Sequence, residues 1–270
     1  MPERSALPHV AFVGLAGLGW IVGLALLTWL ASLRQRDASL ADRAWPAFMG
    51  GATLVYAALL PASGVRSLCM VALALAWSLR LGIYITLRNR GHGEDRRYRQ
   101  MRERNQPHFG FKSLYLVFGL QALLGWTVTA PLLVGMAGTR PFGGLDAAGF
   151  ALAAFGVVFE AIADAQMARF RSLPAQRARV MDRGLWRYSR HPNYFGEACV
   201  WWGVWLMALS AAGWAGAWSV ISPALMTFLL LRVSGVSLLE QDIAERRPAY
   251  RDYIARTNAF IPGPPRKDPA

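Results

Sequence analysis

Blocks of apolar residues recur along this chain at close to the twenty residues or so needed to cross a bilayer, and they leave few folds open. They fall at about 10–33, 45–63, 67–87, 113–136, 145–168, 194–212 and 214–231. Over the whole sequence 54% of residues are hydrophobic and the mean hydropathy is +0.27, too apolar for an ordinary soluble domain of 270 residues. We therefore expect an all-α, polytopic membrane bundle of about seven transmembrane helices, forming one domain over residues 1–270. The first block is longer than the apolar region of a signal peptide and no small-residue cleavage site ends it, so it reads as a membrane helix. The block at 45–63 is the weakest, because Pro46, Gly50, Gly51 and Pro61 interrupt it.

Charge gives the orientation. The segments 34–43, 88–112, 169–190 and 232–270 hold 3, 8, 7 and 7 cations, whereas the opposite ends of the spans carry only Arg4, Arg66 and Arg140. The positive-inside bias then sets the N-terminus outside and the C-terminus in the cytoplasm, with a bacterial inner membrane as the expected location. The net charge of +13 is largely this topology signal and does not indicate nucleic-acid binding. No protein partner is evident. After the last span, 236–257 reads as a polar cytoplasmic helix, and the tail IPGPPRKDPA reads as extended or disordered. Cys69 and Cys199 lie inside apolar blocks and read as small buried hydrophobes, and no His or Cys spacing suggests a metal site.

The chemistry gathers where a polar stretch meets a greasy one. RYSRHPNYFGE, residues 187–197, runs directly into ACVWWGVWLMAL. Asn193 and Glu197 are four apart and share a helix face, as do Glu160 and Asp164. Such groups inside a span are costly and usually face the bundle interior. Pro192 suits the first turn of a helix whose free N–H groups, beside Arg187, Arg190 and His191, form an anion site. Arg80 reads as the partner of a carboxylate within the bundle. Glu160, near a helix end, is either solvated or part of the site. The tryptophans at 201, 202, 205, 214 and 218 read first as packing and interfacial belt.

Several stretches together resemble the steroid 5-alpha-reductase superfamily, in particular its bacterial branch labelled DUF1295. They are HPNYFGE, NRGHGEDRRYRQMR from Asn89, EAIADAQMARFR from Glu160, and EQDIAERRPAYRDYIARTNAFIP. The resemblance is strongest over 67–262. It implies a membrane-embedded, NADPH-dependent reductase that passes hydride to an activated carbon–carbon double bond of a lipid-soluble substrate, in the manner of a 3-oxo-5-alpha-steroid 4-dehydrogenase. Carried over by position, Asp164 matches the acid near the adenosine end of the nucleotide. Arg171 and Arg179 match cations at its phosphates. Arg190, His191 and Tyr194 are expected at the cofactor too, beside the polar pair Asn193 and Glu197, and that pair matches positions near the cofactor's inner part, with Glu197 the catalytic candidate. Asn89 and Arg90 match a loop that closes over the nucleotide.

Three departures concern the substrate end. The superfamily's Gln-Glu pair on the second helix has no counterpart in AWPAFMGGATLVYAALL. A tyrosine on its third helix falls near Trp77 or Ser78, and a His…Tyr pair falls near Val236 and Glu240. Two further readings stand beside the reductase. One is an S-adenosylmethionine-dependent methyltransferase of the isoprenylcysteine carboxyl methyltransferase type, which shares RHPxYxG. The other is a non-catalytic sterol- or lipid-binding membrane protein.

Overall fold

Every regular element among the described residues is helical, as the blocks require. The computed structural model describes residues 3–61, 64–176, 179–233 and 248–266. The helices are α1 (Glu3–Gln35), α2 (Leu40–Leu59), α3 (Gly64–Arg88), the short α4 (Arg96–Arg104), α5 (Phe109–Ala137), α6 (Gly144–Ser172), α7 (Pro192–Ala212), α8 (Ile221–Phe228) and α9 (Ala249–Arg256). Five stretches are long and apolar enough to cross a bilayer: Leu7–Gln35, α3, α5, α6 and the run Pro192–Val233. This is compatible with a multi-pass membrane protein. Leu15, Leu27, Leu68, Leu79 and Val158 are each more than half exposed. Such a surface would be a liability in water and is the expected one in hydrocarbon.

The expected spans at 194–212 and 214–231 fall in one 42-residue run. A straight helix of that length would measure about 63 Å. The run is not straight. Gly213, at φ +63, opens a tighter 3-10 stretch, Gly213–Val220. Beyond it Thr227 Oγ1 accepts from Trp202 Nε1 at 3.2 Å, 25 residues away in sequence, so α7 and α8 form a hairpin. The weak block at 45–63 is nonetheless helical, as the 20-residue α2, although it is not among the five. Pro46 removes one hydrogen bond without ending the helix. The helix expected at 236–257 is described from Ala249 to Arg256, and 234–247 lies outside the described residues.

The described chain divides into two compact units, Met1–Ala147 with Val204–Ser222, and Ala148–Gly203 with Pro223–Ala270, the division passing through α6, α7 and α8. In the first unit α2 packs against α1, α3 and α5 around Phe48, Tyr56, Met70, Trp77 and Phe118, all essentially inaccessible. Close approach depends on Gly51: a Cβ there would lie 2.0 Å from the Trp20 indole nitrogen, which donates to Ala47 O at 3.2 Å. α1 stops where Arg36 turns left-handed at φ 52, and Asp37 then accepts from Ser39 N at 2.9 Å as α2 begins.

Arg66, counted above only for its charge, is held inside the first unit. It is 93% buried and forks onto Asp146, Nε to Oδ1 at 2.7 Å and Nη2 to Oδ2 at 2.8 Å, with further bonds to the carbonyls of Arg140 and Pro141. Asp146 also accepts from Ser210 Oγ and Gly143 N. Both partners of this buried pair are fully hydrogen-bonded, the condition under which such a pair is tolerated.

Candidate functional site

In the second unit α6 and α7 run antiparallel with their backbones nearly touching. A Cβ on Gly156 would lie 2.5 Å from Gly196 O, and one on Gly203 would lie 2.5 Å from Gly149 O. A Cβ on Gly196 would lie 2.8 Å from Glu160 N. The glycines sit seven residues apart on each helix, so one face of each is stripped of side chains and the pair closes tightly. That closure carries the polar residues beside it into the interior. Glu160, Asp164, His191 and Glu197 are 2, 3, 4 and 6% exposed. Burial removes the solvated reading of Glu160.

Of the four positions that helical spacing pairs, Asp164 on α6 and Asn193 on α7 meet directly. Asn193 Nδ2 donates to Asp164 Oδ1 at 3.3 Å. Asn193 Oδ1 is itself buried and accepts no hydrogen bond among the described residues. A buried acceptor left open is uncommon and implies a donor from elsewhere. The rings of His191 and Tyr194 stack at 5.4 Å with 3° between their planes, one turn before Glu197. Four buried ionisable groups on these two helices and the segment before α7, with an open amide oxygen on α7, exceed what helix packing alone needs.

Residues towards the chain's basic connections behave differently. Arg171, in the last turn of α6, and Arg179 are exposed. The connection back to α7 is tied to α6 through Trp186 Nε1 to Ala163 O at 3.0 Å and Leu185 N to Gln166 Oε1 at 2.9 Å. Gly184 lies at φ +60, where a Cβ would strike the Gln166 amide. Arg190, expected at the ligand, directs Nη1 to the carbonyls of Ile254 and Thr257. Asn89 and Arg90 belong to the first unit. There Asn89 is half-buried and accepts from Arg88 Nε at 3.1 Å, and Arg90 is exposed beside the left-handed Gly91. The tryptophans divide: Trp201 is buried, while Trp214 and Trp218 are 88 and 60% exposed. Val236 and Glu240 lie outside the described residues. Among the described residues no group of three or more His, Cys, Asp or Glu could hold a metal ion.

Sequence reasoning missed a second polar cluster, in the first unit. Asp42, at the start of α2, accepts from the Tyr98 hydroxyl at 2.5 Å and from Arg97 Nη2 at 2.8 Å, and Gln121 Nε2 donates to the Tyr98 oxygen at 3.0 Å. Burial, then the Asp42 charge, push the Tyr98 phenol well above its ordinary range. Burial works against the Arg97 cation, but Asp42 and Asp95 raise its pKa. Burial also opposes ionisation of Glu94, yet its bonds to Arg102 and the Ala38 N–H hold it below the ordinary glutamate value. This network fastens α4 to the start of α2. The available signal was Tyr98 itself, the one aromatic in the run RRYRQMRER.

A family model described as a protein of unknown function, DUF1295, matches residues 28–257. An uncharacterized Schizosaccharomyces pombe protein, C594.04c, is 27% identical, the alignment covering 91% of this chain and 78% of the relative. No solved structure matches.

Proposed function

The chain belongs to the DUF1295 family, and from the buried centre between α6 and α7 we propose that it is a steroid 5-alpha-reductase-like membrane reductase that uses NADPH to reduce an activated carbon–carbon double bond of a lipid-soluble substrate. The observation that carries this reading is the Asn193–Asp164 pair with its open acceptor, set inside an otherwise apolar helix pair. The groups present fit such a nucleotide. Acceptors for ribose hydroxyls and a carboxamide, namely Asp164, Glu197 and Asn193 Oδ1, lie in the interior. Cations for its phosphates, Arg171 and Arg179, lie exposed beyond them.

When bound, NADPH would supply the hydride, so the chain's own task is to hold and shield it. In this reading Asp164 fixes the orientation of Asn193 through the 3.3 Å bond, and Oδ1 would accept from the cofactor's carboxamide. The glycine contacts of α6 and α7 keep water out of the centre and confine Glu197 to a fixed depth. Arg171 and Arg179 would hold the cofactor's phosphate oxygens as forks. The assignment of Asn89 and Arg90 rests on the resemblance alone. We read the hairpin α7–α8 and α2 as further crossings, giving seven, with the arginine-rich connections cytoplasmic.

The direct test is to purify the protein in mild detergent and identify the bound nucleotide. NADP(H) supports the reductase. S-adenosylmethionine would replace it with a methyltransferase, and neither nucleotide, with no NADPH affinity by titration, would leave a lipid-binding protein.

A further inference from the structure

The segment that enters α7 is fastened by the far end of the chain. Arg190 is 8% exposed. Its Nη1 donates to Ile254 O at 3.2 Å and to Thr257 O, the carbonyls where α9 ends. Helix C-termini leave such carbonyls without intrahelical partners, and a cation there is also favoured by the helix dipole. Arg190 N donates to Asn258 O at 2.9 Å. Ser189 Oγ accepts from His191 N at 3.1 Å and donates to Phe260 O at 2.8 Å. The Tyr253 hydroxyl, on a fully buried ring, donates to Trp186 O and lies 3.3 Å from Ser189 O. Gly263 N donates to Tyr188 O at 3.0 Å, and Phe260 meets Phe195 of α7 edge-on at 5.9 Å. The part of the tail expected to be extended, Ile261–Arg266, is therefore also tied down.

All of these bonds converge on Trp186–His191, the residues immediately before α7. Its first turns carry Asn193 and Glu197, and Pro192 has no N–H with which to anchor the turn itself. We propose that Arg190 and Tyr253 are positioning residues: they strap the entry of α7 to the C-terminal segment and so set the rotation and depth of Asn193 and Glu197. Arg190 acts on the centre through the backbone, with Nη1 committed to the carbonyls of Ile254 and Thr257. The functional arm of this inference rests on the nucleotide reading above, whereas its structural arm does not.

The test compares Arg190→Ala, Arg190→Lys and Tyr253→Phe with the wild type in detergent, by hydrogen exchange of the α7 amides and by NADPH titration below each variant's unfolding temperature. Losing bonds from a charged donor should speed exchange over Tyr194–Glu197 by roughly ten- to a hundredfold in Arg190→Ala. NADPH affinity should fall in parallel, lysine should restore part of both, and Tyr253→Phe should show the smaller effect. Tyr253→Phe keeps the ring and decides the matter if Arg190→Ala does not fold. Wild-type exchange in folded variants overturns the strap. Faster exchange with unchanged NADPH affinity overturns the positioning role. If the wild type itself does not bind NADPH, the nucleotide reading fails, and the exchange comparison alone decides for or against the strap.

Discussion

Asn193 reaches across from α7 to Asp164 on α6, Nδ2 to Oδ1 at 3.3 Å, and this bond lies on one side of a helix pair whose backbones meet at Gly156 and Gly196. The pair is asymmetric, because the amide's donor is used and its acceptor is open among the described residues. Two substitutions separate these halves. Asn193→Asp would put a second carboxylate against Asp164, so thermal stability should fall and NADPH binding with it. Asn193→Ala removes the open acceptor without adding charge, and should lose roughly one to two orders of magnitude in NADPH affinity at a smaller cost in stability. Titration beside thermal unfolding distinguishes them. Wild-type affinity in Asn193→Ala would remove this residue from the site.

The glycines can be tested without any ligand. A Cβ on Gly156 would lie 2.5 Å from Gly196 O and 2.7 Å from Val200 N, both backbone atoms that cannot swing aside. Gly156→Ala should therefore force α6 and α7 apart, at about 1–3 kcal/mol. At Gly19, by contrast, a Cβ would meet nothing within 4 Å, and Gly19→Ala should be neutral or slightly stabilising. Denaturation in detergent checks the contrast, and equal effects at the two positions would contradict the close packing.

Arg66 and Asp146 make a test of a different kind. Asp146→Leu leaves a buried guanidinium with only backbone carbonyls, so it should cost about 3–5 kcal/mol. Arg66→Met combined with Asp146→Leu should recover much of that loss, because a buried pair replaced by apolar groups is often neutral. A double variant no better than Asp146→Leu would mean that Arg66 does more than neutralise Asp146.

Some of this was legible in the sequence, for a physical reason. Burial of Glu160, Asp164 and Glu197, with Asn193 half-buried beside them in sequence, follows from i, i+4 spacing within apolar blocks. The block lengths also announced the helices. The α7–α8 hairpin appeared only as two adjacent spans, because a turn made by one left-handed glycine, Gly213, leaves little trace in hydropathy. The partners of Arg66, Tyr98 and Arg190 were not legible. Each pairing joins residues more than fifty positions apart, and a lone arginine in a basic stretch looks the same whether solvated or buried. Arg190 shows this most clearly: its neighbours suggested an anion site, while its Nη1 partners are carbonyls in the C-terminal segment.

The α4 fastening predicts a pH window. Glu94 and Asp95 are both held below their ordinary values of 4.5 and 3.8. A depressed carboxylate contributes stability that is present above its unfolded value and lost as pH falls through the folded one. Tyr98 is raised above 10.0, so its contribution is present below that value and lost as pH rises through the folded one. Protection of the α4 amides relative to α3 should therefore be flat between about pH 5 and 10 and decline outside that range. A step inside that range would contradict the fastening by this network.

Glu197 is the sharpest single test of the proposed function. It is 6% exposed, one turn beyond Asn193 on α7, at a depth where a carboxylate is costly unless bonded. Glu197→Gln keeps the shape and removes the charge. If Glu197 serves the nucleotide or the transferred hydride, the variant should unfold at nearly the wild-type temperature and yet lose most NADPH oxidation with any substrate found. If Glu197 neutralises a buried cation instead, the variant should lose about 3–5 kcal/mol of stability, and the protein that remains folded should turn over normally. Thermal unfolding and NADPH oxidation on the same preparation separate the two, because charge removal at a structural pair and at a reacting centre move different quantities. A variant unchanged in both would show that the centre between α6 and α7 works without this carboxylate, and the search for the reacting group would pass to Asp164 and Glu160.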